Sequence, residues 1–156
     1  MIDRIDSNIL MILQGDGRVS NAEIARRVGM APSAVLERIR KLERKGVIQG
    51  YEALLDPKSL GQRLTAFTTV HVSEAVGSTE AGAQLAQVSG VLEVHYTAGQ
   101  DSYLVKVRAE DTEALQHILQ QFGAIPGVRD TRTTIVLATL KESRQLPLQG
   151  GEASKE

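Results

Sequence analysis

With 156 residues, 42% of them hydrophobic and 24% charged, the chain is a globular protein of one ordinary domain or two small ones rather than a disordered one. It has no cysteine, which excludes disulfides, thiolate metal sites and cysteine nucleophiles. The net charge of −1 hides a division: residues 1–50 carry nine Lys and Arg against six Asp and Glu (+3), and residues 51–156 carry nine against thirteen (−4). A basic front half on an acidic back half suits an anion-binding module joined to a second function.

The elements follow in chain order. Ile2, Ile5, Ile9 and Ile12, widened by Leu10 and Leu13, make a helical stripe that Gly15-Asp16-Gly17-Arg18 stops. Ser20 and Glu23 form an S-x-x-E capping-box pattern opening a second helix, with Ile24, Ala25 and Val28 inward and Gly29 at its end. Met30 and Ala31 are all that precede Pro32, which fits the first turn of a third helix reaching about Lys45 before Gly46. Two short helices across a tight Gly-containing turn are a helix-turn-helix pattern. In the third helix Val35, Ile39 and Leu42 form one narrow apolar stripe. Ser33, Glu37, Arg40, Lys41 and Arg44 fall opposite it, and Arg38 and Lys45 flank them. Its fourteen residues at about 1.5 Å each make roughly 21 Å, enough to lie in a DNA major groove.

Val47–Leu55 reads as extended, and Asp56-Pro57 is a turn. Residues 51–63 form a strand linker able to pair with a second copy. Leu64–Ser73 is a strand with Ala66, Thr68, Val70 and Val72 on one side. Ser78–Ser89 is a helix with Ala81, Leu85 and Val88 inward. Leu92, Val94, Tyr96 and Ala98 alternate with polar neighbours in a second strand. Gly99-Gln100-Asp101 is a tight loop, and Tyr103, Val105 and Val107 mark a third strand. Asp111 caps a helix carrying Leu115, Ile118, Leu119 and Phe122, and Val128–Leu140 is a last strand. The order βαββαβ is the ferredoxin-like unit, giving an α+β chain. The expected organisation is a helix-turn-helix (winged-helix-like) domain at 1–50, the linker at 51–63, a ferredoxin-like domain at 64–142 and a flexible tail at 143–156. Helices cover one face of such a sheet, so a dimer through the other is expected.

Taken together, the chain resembles the Lrp/AsnC family of feast/famine transcription regulators. The residues that carry the resemblance are Ile5-Asp6-x-x-Ile9-Leu10, Asp16-Gly17-Arg18, Glu37-Arg38-Ile39-Arg40-Lys41-Leu42-Glu43, Gly46–Tyr51, and Pro126-Gly127-Val128 followed by Thr131-Arg132-Thr133. The match runs in order over roughly residues 1–142. It implies a winged-helix-like DNA-binding domain, and an effector domain that regulates amino-acid metabolism. It also implies dimers assembling further, often to octamers, with free amino acids bound between dimers. The loop implied for that ligand is Gly99, Gln100, Asp101, Ser102 and Tyr103. Ser102 stands where the leucine-responsive members carry Asp, which leaves the effector's identity open. Ala31 stands where many relatives have a capping Ser, a loss of about 1 kcal/mol.

The expected DNA-binding residues are Ser20, Asn21, Ser33, Ala34, Glu37, Arg38, Arg40, Lys41 and Arg44. The cations could neutralise phosphates and read guanine edges, against the alternative of an ordinary solvated helix face. Ser33, Ala34 and Glu37 lie nearest the helix start as base-contact candidates; Glu37 could accept from cytosine or hold Arg40 or Lys41. Ser20 and Asn21 open a helix whose free N–H groups can hold a phosphate, and pure capping is the alternative for Ser20. For the effector, Asp101 could accept an ammonium, while N–H groups around Gly99 and hydroxyls of Ser102, Thr131, Thr133 or Thr134 could hold a carboxylate. The alternative there is a solvated hairpin loop beside ordinary strand threonines.

His71, His95 and His117 fall in a first strand, a second strand and a helix, with no metal-ligand spacing, so no metal and no cofactor beyond an amino-acid effector is expected. No phosphate loop, dinucleotide glycine motif or nucleophile elbow is present, so no catalytic residues are expected. No apolar run approaches the roughly 18 residues of a bilayer span, and the charged Met1–Asp6 start has no signal-peptide core. The expected setting is cytoplasmic and nucleoid-associated, with double-stranded DNA as partner. Two other classes fit the same plan: an enzyme resembling siroheme decarboxylases, and an architectural protein binding DNA with little sequence preference.

Overall fold

The computed structural model describes residues 2–148. The described residues divide into two compact units, one from residues 2–54 and 142–148, the other Leu55–Lys141.

The first unit carries α1 (Arg4–Gly15), α2 (Asn21–Val28) and α3 (Pro32–Arg44). Each start has a local cause. Asp3 caps α1 by accepting from the Asp6 N–H at 2.8 Å, while the Asp6 carboxylate accepts from the Asp3 N–H at 3.4 Å. This closes a capping box one helix earlier than the sequence pattern suggests. At α2 the box is half made. Ser20 Oγ accepts from the Glu23 N–H at 3.2 Å. The Glu23 carboxylate turns instead to Arg26 and Arg27, each at 2.7 Å, because two guanidiniums one turn on outcompete one backbone N–H. Gly29 ends α2 in the left-handed conformation, φ 68°. Pro32 opens α3, and its N-cap Ala31 makes no side-chain cap. The core is small: Ile9, Ile24, Ala25, Val35 and Ile39, with Ile5, Ile12, Leu13, Val28 and Ile48 packed around it. The stripe Val35, Ile39 and Leu42 is buried as its spacing requires.

Val47–Leu55 forms no strand pairing in the single chain, and Leu54 is 93% exposed. At the other end Arg144 reaches Glu52 at 2.6 Å. The Leu146 backbone pairs with the Gln14 amide at 2.7 and 3.1 Å. Residues 149–156 of the expected tail lie outside the described residues.

The second unit carries β1 (Leu64–Val72), α4 (Glu80–Leu85), β2 (Val91–Tyr96), β3 (Tyr103–Ala109), α5 (Thr112–Gly123) and β4 (Val128–Ile135). The sheet order is β2-β3-β1-β4, antiparallel throughout, which is the ferredoxin-like arrangement. Ala66, Val70 and Val72 join Tyr103, Val105 and Val107 on the face covered by Leu85, Leu115, Ile118 and Phe122. The alternate positions, Phe67, Leu104 and Lys106 among them, form the face without helices. Asp111 caps α5 through the Ala114 N–H at 2.8 Å.

Three elements differ from the sequence reading. α4 is one and a half turns rather than Ser78–Ser89, since its C-terminal end tightens into i→i+3 bonds from Gln87 and Val88. Gly82 within it is required because a Cβ there would lie 2.5 Å from Tyr103 Cε1. β4 ends at Ile135 rather than Leu140, because the strand it pairs with, β1, begins at Leu64 and Ala66 already faces Ile135. In β2 a bulge between Val91 and Glu93 breaks the expected alternation. Val91 and Val94 pack on the core, and Leu92 turns out, 52% exposed.

Candidate nucleic-acid interface and effector loop

α3 is seated by Val35, Ile39 and Leu42, so its opposite side faces outward. Ser33, Glu37, Arg40, Lys41 and Arg44 are all exposed there, and Ala34 is half-buried at the first turn. Arg44 Nη2 meets Glu37 Oε1 at 3.0 Å, so Glu37 restrains Arg44 rather than Arg40 or Lys41. Among the described residues Arg40 and Lys41 carry no ion pair, which leaves two outward cations without an internal partner. Arg38 behaves differently. Its Nη1 lies 2.7 Å from Asp3 Oδ2 and 2.7 Å from Asp6 Oδ1. The guanidinium therefore turns to the start of α1 and away from the outer face. The pair holds the Asp3 carboxyl below its ordinary range, first through the Asp6 N–H and then through Arg38. On α2, Ser20 is exposed at the cap and Asn21 is half-buried. The Arg26 and Arg27 guanidiniums pull Glu23 down to about 2. Tyr51 donates to Glu43 Oε1 at 3.1 Å, and burial together with that carboxylate raises the phenol.

The loop between β2 and β3 is closed by its own hydrogen bonds. Thr97 N–H donates to Ser102 O at 2.9 Å and Thr97 Oγ1 to Asp101 O at 2.7 Å. Ser102 N–H donates to Val70 O at 3.0 Å, and Ser102 Oγ accepts from Val72 N–H at 3.2 Å, so that hydroxyl is spent on β1. Gln100 O lies 3.1 Å from His71 Nδ1. The Asp101 carboxylate, 22% exposed, lies 3.8 Å from Arg132 Nη1 on β4.

The expected effector residues are divided by this geometry. Gly99, Gln100, Asp101 and Ser102 stand together in the loop. Tyr103 is in the core, with its hydroxyl donating to Glu74 Oε2 at 3.2 Å. Thr133 Oγ1 pairs with Thr68 Oγ1 at 2.9 Å. Thr131 pairs in register with Val70 on that same side, while Thr134 faces outward opposite Phe67. The three contacts Arg38 with Asp3/Asp6, Tyr51 with Glu43 and Arg132 with Asp101 have no signature in the sequence. The strand order alone, which sets β4 beside β1, would have brought Arg132 toward the loop.

Comparison with known proteins fits this two-part layout. Residues 2–49 match the winged helix-turn-helix DNA-binding family, and residues 65–146 match the Lrp/AsnC ligand binding domain. Over 148 residues the chain is 41% identical to the HTH-type transcriptional regulator FL11 of Pyrococcus horikoshii, covering 95% of this chain and 97% of that protein. It is 40% identical over 151 residues to the leucine-responsive regulatory protein of Salmonella typhimurium, covering 95% and 92%. A solved transcriptional regulator of Neisseria meningitidis, in complex with L-Met, superposes with a TM-score of 0.88 at 33% identity over 96% of this chain and 98% of that one. These relatives are transcription regulators and not enzymes, and they lend nothing to the siroheme-decarboxylase-like alternative. The chain belongs to the Lrp/AsnC family of transcription regulators, in which a helix-turn-helix DNA-binding domain precedes a ligand-binding domain on the ferredoxin-like plan.

Proposed function

We propose that the chain is a sequence-specific regulator of amino-acid metabolism whose DNA affinity is set by a bound amino acid. The observation that carries the DNA part is the outer face of α3, where Arg40 and Lys41 are exposed beside Arg44 and, among the described residues, carry no ion pair. Cations held outward on a rigid helix can neutralise phosphates and donate to guanine edges. Ser33, Ala34 and Glu37 lie at the helix start, where base edges are met first. Ser20 and Asn21 offer the N-terminus of α2 to a phosphate. Two copies would set their third helices in successive major grooves of a pseudo-palindromic site, about one helical turn apart.

The helix-free sheet face, with Phe67 38% and Leu92 52% exposed, supports a homodimer, and dimers would assemble further to an octamer or another closed oligomer. The effector site is the loop Gly99–Ser102 between dimers. Asp101 accepts the amino acid's ammonium, and Arg132, 3.8 Å away, takes its carboxylate in place of the threonines of β4. The L-Met complex of the Neisseria relative makes methionine the first ligand to try. The setting is cytoplasmic and nucleoid-associated.

The test is binding to the DNA upstream of the protein's own gene, titrated against the twenty amino acids at fixed salt. A specific complex altered by one or a few of them is expected. Specific binding indifferent to all of them would remove the effector loop. Equal affinity for random duplexes would replace the regulator with an architectural protein.

A further inference from the structure

Arg38 lies in the most basic stretch of the chain, yet its charge is used inside the first unit. Its Nη1 sits 2.7 Å from an oxygen of Asp3 and 2.7 Å from an oxygen of Asp6. Each of those carboxylates gives its other oxygen to the helix cap, Asp3 to the Asp6 N–H and Asp6 to the Asp3 N–H. All four oxygens of the pair are thus engaged, and one cation faces two anions. A phosphate approaching Arg38 would meet a site of net negative charge. The guanidinium is also the less exposed of the α3 cations with ion pairs, 29% against 62% for Arg44.

Apolar packing holds this corner only through Leu42, 3% exposed. Ile2 is 44% and Val47 39% exposed, and a shallow cavity of about 100 Å³ lies between them beside Leu42. The buried cluster touches α3 at Val35 and Ile39, in its first half and middle, and Leu42 is buried about one turn further on. Val35, Ile39 and Leu42 set which side of α3 is inward, so only a small rotation of the helix about its own axis is left to oppose. Arg38 sits on the flank, where a tether to α1 opposes such a rotation.

We propose that Arg38 is a positioning residue, bracing α3 against the capped start of α1 so that Arg40, Lys41 and Arg44 meet DNA in register. The proposal rests on the reading of the α3 outer face as the DNA contact.

The experiment measures affinity of the full chain for a duplex selected by the wild-type protein from a random pool, across a salt series. The variants are Arg38→Ala, Asp3→Asn/Asp6→Asn, the triple combination and Arg40→Ala, with folding followed by circular dichroism. Asn still caps a helix, so the double variant keeps α1. In fully folded protein, Arg38→Ala is expected to weaken binding about tenfold with the salt slope unchanged. In the Asp3→Asn/Asp6→Asn background the same change is expected to cost less than about twofold, because the tether is already gone.

A slope shallower by about 0.9 in Arg38→Ala, undiminished without the aspartates, would make Arg38 a phosphate contact and overturn the proposal. A lower melting temperature with wild-type affinity would overturn it too, leaving a purely structural ion pair. Should Arg38→Ala not fold, the double variant decides alone at high salt, where distant charges are screened. Weaker binding upholds the brace, and equal or tighter binding overturns it. Arg40→Ala separates the two readings, since an unchanged affinity and slope there would fail the outer face itself, whatever Arg38 does.

Discussion

The two units solve the same problem, holding a functional surface still, with different means. The second buries thirteen apolar residues between a four-stranded sheet and two helices, including fully buried Phe122, Leu85, Val105 and Val107. Its loop between β2 and β3 is held by its own hydrogen bonds and by those of Ser102 to β1, between two strands locked in that sheet. Among the described residues, the first unit buries seven apolar side chains across three short helices, five of them in one cluster. So small a core fixes which face of each helix is inside but leaves the angles between helices weakly held. Polar devices supply the rest: the Asp3/Asp6 box, the Arg38 tether and the Ser20 cap. Where the core is small, charged residues otherwise read as DNA contacts can be structural.

The largest effects would come from breaking each core. Phe122→Ala removes a fully buried ring and is expected to destabilise the sheet unit by about 3–5 kcal/mol. Ile24→Ala, also fully buried, should cost the helical unit about 2–5 kcal/mol. Hydrogen exchange followed peptide by peptide checks both. If Ile24→Ala deprotects the sheet as strongly as the helices, the division into two differently held units fails. Next in size is Arg40→Ala. On the outer face and without an ion pair among the described residues, it should shift stability by less than about 0.5 kcal/mol. DNA affinity at matched salt should fall about tenfold, with the salt slope lower by about 0.9. Retained affinity would remove Arg40 from the interface.

Much of this architecture is legible in the amino-acid sequence. The 3.6-residue periodicity of Val35, Ile39 and Leu42 fixes which side of α3 is outward, and Gly29 and Pro32 fix where the turn lies. The order of elements gives the sheet type. Periodicity describes a residue's relation to its own helix or strand and says nothing of which neighbour a flanking side chain will meet. Arg38 lies 32 residues from Asp6 and Asp101 lies 31 from Arg132, so both pairs exist only once the helices and strands are assembled. Similarly, the bulge that turns Leu92 outward is a mismatch between two strands and is invisible in either alone. The Glu23 pattern misleads for a related reason: an S-x-x-E motif matches a capping box, but Arg26 and Arg27 compete for the same carboxylate.

Smaller effects sharpen the role of caps in the helical unit. Ser20→Ala should cost about 1 kcal/mol, since the Glu23 N–H loses its acceptor, and a urea midpoint with unchanged slope would show it. Ala31→Ser offers the converse. The N-cap of α3 has backbone angles of φ −72° and ψ 143° but no side-chain acceptor. A hydroxyl there should raise stability by up to about 1 kcal/mol. No gain would mean that Pro32 already fixes the start of α3 and the cap adds nothing.

The smallest expected effect is that of pH on Glu23. Arg26 and Arg27 hold its carboxyl at about 2 against an ordinary 4.5. A depressed acid favours the folded state wherever the unfolded chain would take up a proton and the folded one would not. Its contribution is therefore complete above pH 4.5 and fades as the pH falls through about 2. The group is solvent-exposed, so screening keeps the effect small and salt weakens it further. The carboxyl ¹³C shift of Glu23 followed between pH 6 and about 2 reads the titration directly, and Glu23→Gln should lose that part of the acid dependence while Ser20 keeps its cap. A midpoint near 4.5 would mean that the arginines merely hover near the carboxylate in solution, and that Glu23 is free to close the capping box its sequence position suggests.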